Sequence, residues 1–225
     1  MSRLFNLDSP LMVFLSKMAD LLILNLITFV CCLPVVTIGA SLTAMSYVTL
    51  KMVRDEECYI VKDFFKSFKQ NFKQATIIWL IILVIIAIIF GDYMIFFFSS
   101  AEFPNWLRIF LYVATFMIVL ALMHVFPVLA RFENTIRNTF KNSLLMGIMT
   151  LPKTILMVVC WMIPLALAIF VPYILPIVFC FGLSGPSMMC AALYNKTFKR
   201  FEPEEEQPVS DEEWTIPVDE EQSDK

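Results

Sequence analysis

Glycine and histidine are scarce in this chain: its 225 residues hold 5 Gly and a single His. With so few glycines there is no Walker A loop and no dinucleotide-binding glycine pattern, both of which bring backbone amides close to phosphate. HExxH and GxSxG are also missing, and a lone His makes no metal site. The six Cys, at positions 31, 32, 58, 160, 180 and 190, form no CxxC pair. Five of them lie in apolar runs, where Cys acts as a small hydrophobe. The expectation is a chain that is not an enzyme, with no catalytic residue, no cofactor and no metal. The first apolar run has no A-x-A-like site and more apolar sequence follows at once, which argues against a cleaved signal peptide.

Charge is thin as well, at 16% of residues against about 25% in globular domains. Apolar residues fill the gap: 59% of the chain is hydrophobic and 22 residues are Phe. A soluble protein of this length could not hide so much apolar surface, so lipid is expected to cover it. A span needs about 20 largely apolar residues to cross the hydrocarbon with its backbone groups paired. Six stretches qualify: about 18–33, 35–53, 75–98, 106–130, 154–171 and 177–194. Pro34 and Gly39 mark the first reversal, and Pro172 and Pro176 the last. The expected fold is an all-α polytopic membrane helix bundle with six spanning helices.

Cation placement orients it. With the N-terminus inside, sixteen of the seventeen Lys and Arg residues fall on the inner side and only Arg108 lies outside. Both termini are therefore expected in the cytosol. From Glu202 onward eleven acids face one Lys, a net of −10, while residues 1–201 carry a net of +7. The acidic tail, 202–225, contains Pro203, Pro208 and Pro217 and is expected to be disordered. Within it Trp214, Ile216 and Val218 alternate as a candidate docking motif. The basic residues lie beside apolar spans, so their expected partners are anionic lipid headgroups rather than nucleic acid.

Two inner segments read as amphipathic helices on the cytosolic face, about 58–74 and 132–148. In the first, Val61, Phe64, Phe65, Phe68 and Phe72 recur at helical spacing, with Lys62, Lys66, Lys69 and Lys73 on the other side. In the second, Phe132, Ile136, Phe140 and Leu144 stand four apart beside Arg131, Arg137 and Lys141. The lipid-facing basic set is thus Lys62, Lys66, Lys69, Lys73, Arg137 and Lys141. Phe65-Lys66 and Phe140-Lys141 hint at an internal repeat of hairpin and surface helix.

Three stretches carry a family resemblance: Phe5-Asn6-Leu7-Asp8-Ser9-Pro10-Leu11-Met12, the Cys32-Leu33-Pro34-Val35-Val36-Thr37-Ile38-Gly39-Ala40 reversal, and the run from Phe64 to Phe72. Together they resemble the YesL family, bacterial integral membrane proteins with a domain of unknown function. The resemblance covers roughly residues 1–200 and implies the bacterial cytoplasmic membrane. It also implies an association with carbohydrate uptake, and it supplies no catalytic residues to carry over.

Ionisable and amide groups inside spans are candidate functional residues because burying them is costly. Here they are Asp20, Asn25, Asp92 and His124. One reading joins Asp20, Asp92 and His124 in a proton or ion path. The other pairs Asp20 with Lys17, places Asp92 near outer water and makes His124 a hydrogen-bonded packing residue. The second span is rich in small and hydroxyl residues (Thr37, Ser41, Thr43, Ala44, Ser46 and Thr49), which suit close helix packing. Gly182, Ser184, Gly185, Pro186 and Ser187 give the sixth the same character. Pro186 either packs there or breaks the helix beside a substrate path, and Pro164 offers a kink in the fifth. Three functions remain open: an accessory or adaptor protein for a membrane complex such as a sugar importer of the ABC class, a small transporter in its own right, and a lipid-sensing membrane organiser.

Overall fold

A computed structural model describes residues 10–98, 104–132 and 134–201. Among these there is no strand. The helices are α1 Pro10–Cys32, α2 Ile38–Val53, α3 Ile60–Phe98, α4 Asn105–Arg131, α5 Ile136–Met149, α6 Leu151–Phe170, α7 Leu175–Phe181 and α8 Ser184–Phe201. By length and composition α1, α2, α3, α4 and α6 can each cross a bilayer, and α7 with α8 forms a sixth candidate span bent by 49°. Large apolar side chains such as Val84, Ile88, Phe90, Ile109, Phe110 and Phe170 stand exposed on these helices. Helices apolar on every side need lipid around them. The chain is an all-α, multi-pass membrane bundle.

The breaks follow local chemistry. Pro34 precedes a single 3-10 turn, Val35–Thr37, before α2 begins. Proline stands in the first turn of both α6 and α7, where its missing N–H has no partner to lose. Just past the end of α2, Asp55 adopts φ 53°. The Glu56 N–H reaches back to the Lys51 carbonyl at 3.1 Å and the Asp55 N–H to that of Met52 at 3.4 Å. This is a left-handed helix cap, a conformation that Asp tolerates better than most residues.

α2 is the hub, packed against α1, α3, α4 and α8. Ala40, Ser41, Thr43, Ala44, Val48 and Thr49 are all fully buried. Small residues allow this: a Cβ on Gly39 would lie 2.6 Å from the Ala75 carbonyl oxygen and 2.7 Å from Trp79 Cβ. Ser41, Thr43, Ser46 and Thr49 each bond the carbonyl four residues earlier in the chain, so burying them leaves none of these hydroxyls unpaired. The second span meets the last one, with Thr49 Oγ1 3.2 Å from Ser187 Oγ.

Three expectations about the elements change. Residues 58–74 are not a separate surface helix: Ile60–Phe98 is one helix of 39 residues, about 58 Å long at 1.5 Å per residue. That is nearly twice the hydrocarbon thickness, so its Lys-rich end stands clear of the apolar zone. The stripe there is divided: Phe64 is fully buried against Leu21, Leu24, Ala44, Met45 and Val48, while Val61, Phe65 and Phe72 are exposed. The second amphipathic segment begins at Ile136 rather than 132 and buries Thr139, Ser143, Met146 and Gly147. Pro186 does not break the last span. The break falls at Gly182 and Leu183, and Pro186 sits in the first turn of α8. Residues 5–9 and the tail, 202–225, lie outside the described residues.

Candidate functional site

The polar residues singled out in the spans occupy separate places. Asn25, on α1, is 2% exposed. Its Nδ2 donates to the Phe179 carbonyl at 2.8 Å, and its Oδ1 accepts the Leu183 and Ser184 N–H groups, both at 3.0 Å. These backbone groups flank the break between α7 and α8, and the bend deprives them of helical partners. Asn25 fills the role water would play outside a membrane.

His124 is buried on α4, with Nδ1 3.3 Å from the Leu120 carbonyl of its own helix. Asp92 is half-buried near the far end of α3. Asp20 is half-buried on α1, and the expected pair with Lys17 does not form. Lys17 Nζ lies 3.0 Å from Asp55 Oδ1 instead, because the left-handed cap of α2 carries that carboxylate to the α1 surface. No metal-binding group of His, Cys, Asp or Glu occurs among the described residues.

A cavity of about 230 Å³ lies between α2, α3, α4, α6 and α8. Its walls are mostly apolar: Ile82, Leu122, Phe126, Met157 and Trp161, with Ser46, Ser187 and Tyr194 adding hydroxyls. None of Asp20, Asn25, Asp92 and His124 lines it. Pro127, within α4, has no N–H for the Met123 carbonyl, which frees one acceptor at this wall.

At the Lys-rich end two polar features escaped the sequence reading. Asp63 is 8% exposed. Its Oδ2 accepts from Lys51 Nζ and from the Tyr59 N–H, each at 3.1 Å. This joins the end of α2 to the start of α3. The signal was a lone acid on the same stripe as Ile60, Phe64 and Ser67. Beside this pair Cys58 has its thiol pKa pushed up to about 11, first by burial and then by the negative charge of Asp63.

The second feature is an open cleft of about 1030 Å³ between α3 and the α4–α5 junction. Gln70, Asn71, Lys73 and Gln74 line one side, and Arg131, Asn134 and Thr135 the other. Gln74 Nε2 donates to the Asn134 carbonyl and ties the two sides together. Of the expected basic set only Lys73 lines the cleft. Lys62, Lys66, Lys69, Arg137 and Lys141 are exposed elsewhere on α3 and α5.

Residues 21–93 match the family described as "Protein of unknown function, DUF624", the family that contains the YesL-like proteins. The matched segment takes in Asn25, the α2 hub and the Lys51–Asp63 pair. No curated protein and no solved structure matches the chain.

Proposed function

We propose that this chain is an accessory membrane subunit that docks on another membrane complex and does not itself carry a substrate. The observation behind this reading is the separation of the buried polar groups. Asn25 is held by three backbone partners, His124 bonds its own helix, and neither lines the mostly apolar central cavity. A bent last span is the kind of element that transporters open around a substrate, but here three of the backbone groups at its break are already bonded by Asn25. The hydroxyls of α2 likewise turn back on their own carbonyls.

In this reading the Lys-rich end faces the cytosol of a bacterial cell and the tail, 202–225, extends from it. The partner is a sugar importer, the class that the YesL resemblance suggests. The test has three arms. The purified chain in liposomes is expected to give no flux of labelled mono- or oligosaccharides, and concentrative or saturable uptake would overturn the reading. A mild-detergent extract of cells grown on limiting sugar should yield the chain together with an importer permease, and a chain that elutes alone would remove the partner assignment. Cysteines placed at Asn105 or Tyr173 should react with an impermeant maleimide on intact cells.

A further inference from the structure

We propose that the central apolar cavity binds one hydrocarbon chain of a bilayer lipid, which enters from the membrane past Ile86. The inference goes beyond the accessory reading and does not depend on it.

Enclosure is the first argument. α2 packs on α3 and α8, α3 on α4, α4 on α6, and α6 on α8. These five helices close a ring, and the cavity of about 230 Å³ lies inside it. Protein interiors pack as densely as organic crystals, and an empty apolar space deprives its walls of contacts. A dry apolar cavity of about 150 Å³ takes up benzene, so this one has room for a segment of alkyl chain. A partner helix, about 10 Å across, does not fit. Trp79 cannot swing in to fill the space: its Nε1 donates to the Val35 carbonyl at 2.7 Å, which ties the indole to the turn before α2. Met45, Met123 and Met157 line the walls as well, and unbranched thioethers adapt to a flexible guest.

Dryness is the second. The hydroxyls at the wall are engaged. Ser46 Oγ donates to the Leu42 carbonyl at 2.8 Å, Ser187 Oγ lies 3.2 Å from Thr49 Oγ1, and the Tyr194 hydroxyl donates to the Ser46 carbonyl at 3.5 Å. The Met123 carbonyl that Pro127 frees adds one acceptor, whereas a buried water takes about three partners. Among the described residues no Asp, Glu, Lys, Arg or His lines the cavity. The guest that suits it carries no polar group, as does the methyl end of a lipid chain whose headgroup stays outside.

Access is the third. Gly39, at the start of α2, lies against Ala75 and Trp79 of α3. Ile82 and Ile86 line the cavity further along α3, past the point where α2 can supply a wall. Ile86 is exposed, so the cavity opens at its level. That level is hydrocarbon: residues 75–91 of α3 and 109–130 of α4 hold no Asp, Glu, Lys or Arg. Ile81, Val84 and Ile88, around Ile86, are exposed too. A chain reaches the opening from the bilayer without meeting water.

The test uses the full chain with W106F and W214F, which leaves Trp79 and Trp161, both at the cavity wall, as reporters. The protein is held in digitonin, a steroid detergent without an alkyl chain. It is titrated with phosphatidylcholine that carries one acyl chain brominated near its methyl end, because bromine quenches nearby indoles. Quenching should saturate at one lipid per chain. S46L and L122F add bulk inside the cavity and should raise the half-saturating concentration about tenfold, while I88F, on the exposed face of α3, should change it less than about twofold. Both filling variants should unfold at or above the wild-type temperature, since they occupy a void. A fall of several degrees in both would mean that there is no void, and would overturn the proposal. Quenching that rises without saturating, or that saturates equally in the filling variants, also overturns it. A brominated free fatty acid is the second probe. Saturation by the phospholipid, with or without the acid, assigns the chain to a bilayer lipid, and saturation by the acid alone rejects that assignment.

Discussion

Asn25 and Phe179 face each other across the last span's bend, the Asn25 amide donating to the Phe179 carbonyl at 2.8 Å while its oxygen takes the N–H groups of Leu183 and Ser184. One side chain of α1 thus stands in for the hydrogen bonds that a helix loses when it bends by 49°. Polar backbone in lipid has no water to turn to, so the bend and the asparagine form one structural unit.

Asn25→Leu should therefore destabilise the protein more than an ordinary packing change. It leaves two buried N–H groups and one carbonyl without partners, at about 1–3 kcal/mol for each unpaired group before relaxation. Thermal unfolding in detergent should fall by several degrees, with new protease sensitivity near Gly182. An unchanged midpoint would show that the bend does not need the clamp.

The two ion pairs at the Lys-rich end should differ in worth. Lys51–Asp63 has side chains only 20% and 12% exposed, whereas Lys17–Asp55 has 46% and 79%. Double-mutant cycles with Lys→Met and Asp→Asn should give about 1–2 kcal/mol of coupling for the first pair. The exposed pair should give less than about 0.5 kcal/mol, and that should fade in salt. Equal couplings would contradict the burial argument.

Gly39 permits the closest approach in the hub. Gly39→Ala gains about 1 kcal/mol of helix propensity, but its methyl meets the Ala75 carbonyl oxygen at 2.6 Å. Overpacking of that kind costs about 1–3 kcal/mol, and a backbone oxygen cannot swing aside as a side chain could. The net effect should be destabilising and larger for Gly39→Val. Gly185→Ala, where nothing lies within 4 Å, is the control and should be neutral or slightly stabilising. If both Ala variants raise the unfolding midpoint alike, α2 and α3 do not touch as described.

Cys58 should react slowly with maleimides near neutral pH. The thiolate is the nucleophile, and a pKa of about 11 leaves about one thiolate in a thousand at roughly pH 8. In a variant with the other five Cys replaced, the labelling rate should climb about tenfold per pH unit without levelling off before roughly pH 10. Asp63→Asn removes a negative charge that holds the thiol protonated, so it should speed labelling at a given pH. A plateau below roughly pH 9 would mean a solvated thiol.

What the chain specifies locally could be read without coordinates. Runs of Ile, Leu, Val and Phe long enough to cross lipid identify the spans whatever they pack against. Pro34, Pro172 and Pro176 mark reversals through local stereochemistry, and the lopsided Lys and Arg placement separates the two ends. Pairing across the bundle could not be read in the same way. Lys17 finds Asp55 rather than Asp20 because a positive φ at the end of α2 swings a carboxylate 38 residues away into reach. The Phe stripe of α3 had two possible covers, headgroups or protein, and only the position of α1 and α2 gave Phe64 to the core.

The candidate sites divide along the same line. Asn25 and His124 were visible as unusual residues in greasy helices, because the cost of burying a polar group depends on its chemistry alone. Which partners meet that cost depends on helices that cross: residues 154 to 159 positions further along the chain in the case of Asn25. The cleft between α3 and the α4–α5 junction was invisible for this reason. Lys73 and Arg131 look like ordinary flanking cations until packing sets them on facing walls. Composition and hydropathy alone settled that this chain lives in lipid, since apolar surface must leave water in any fold. Tertiary contact alone settled which of its few polar groups meet, because hydrogen bonds and ion pairs act over a few ångströms and sequence separation says nothing about distance once helices pack.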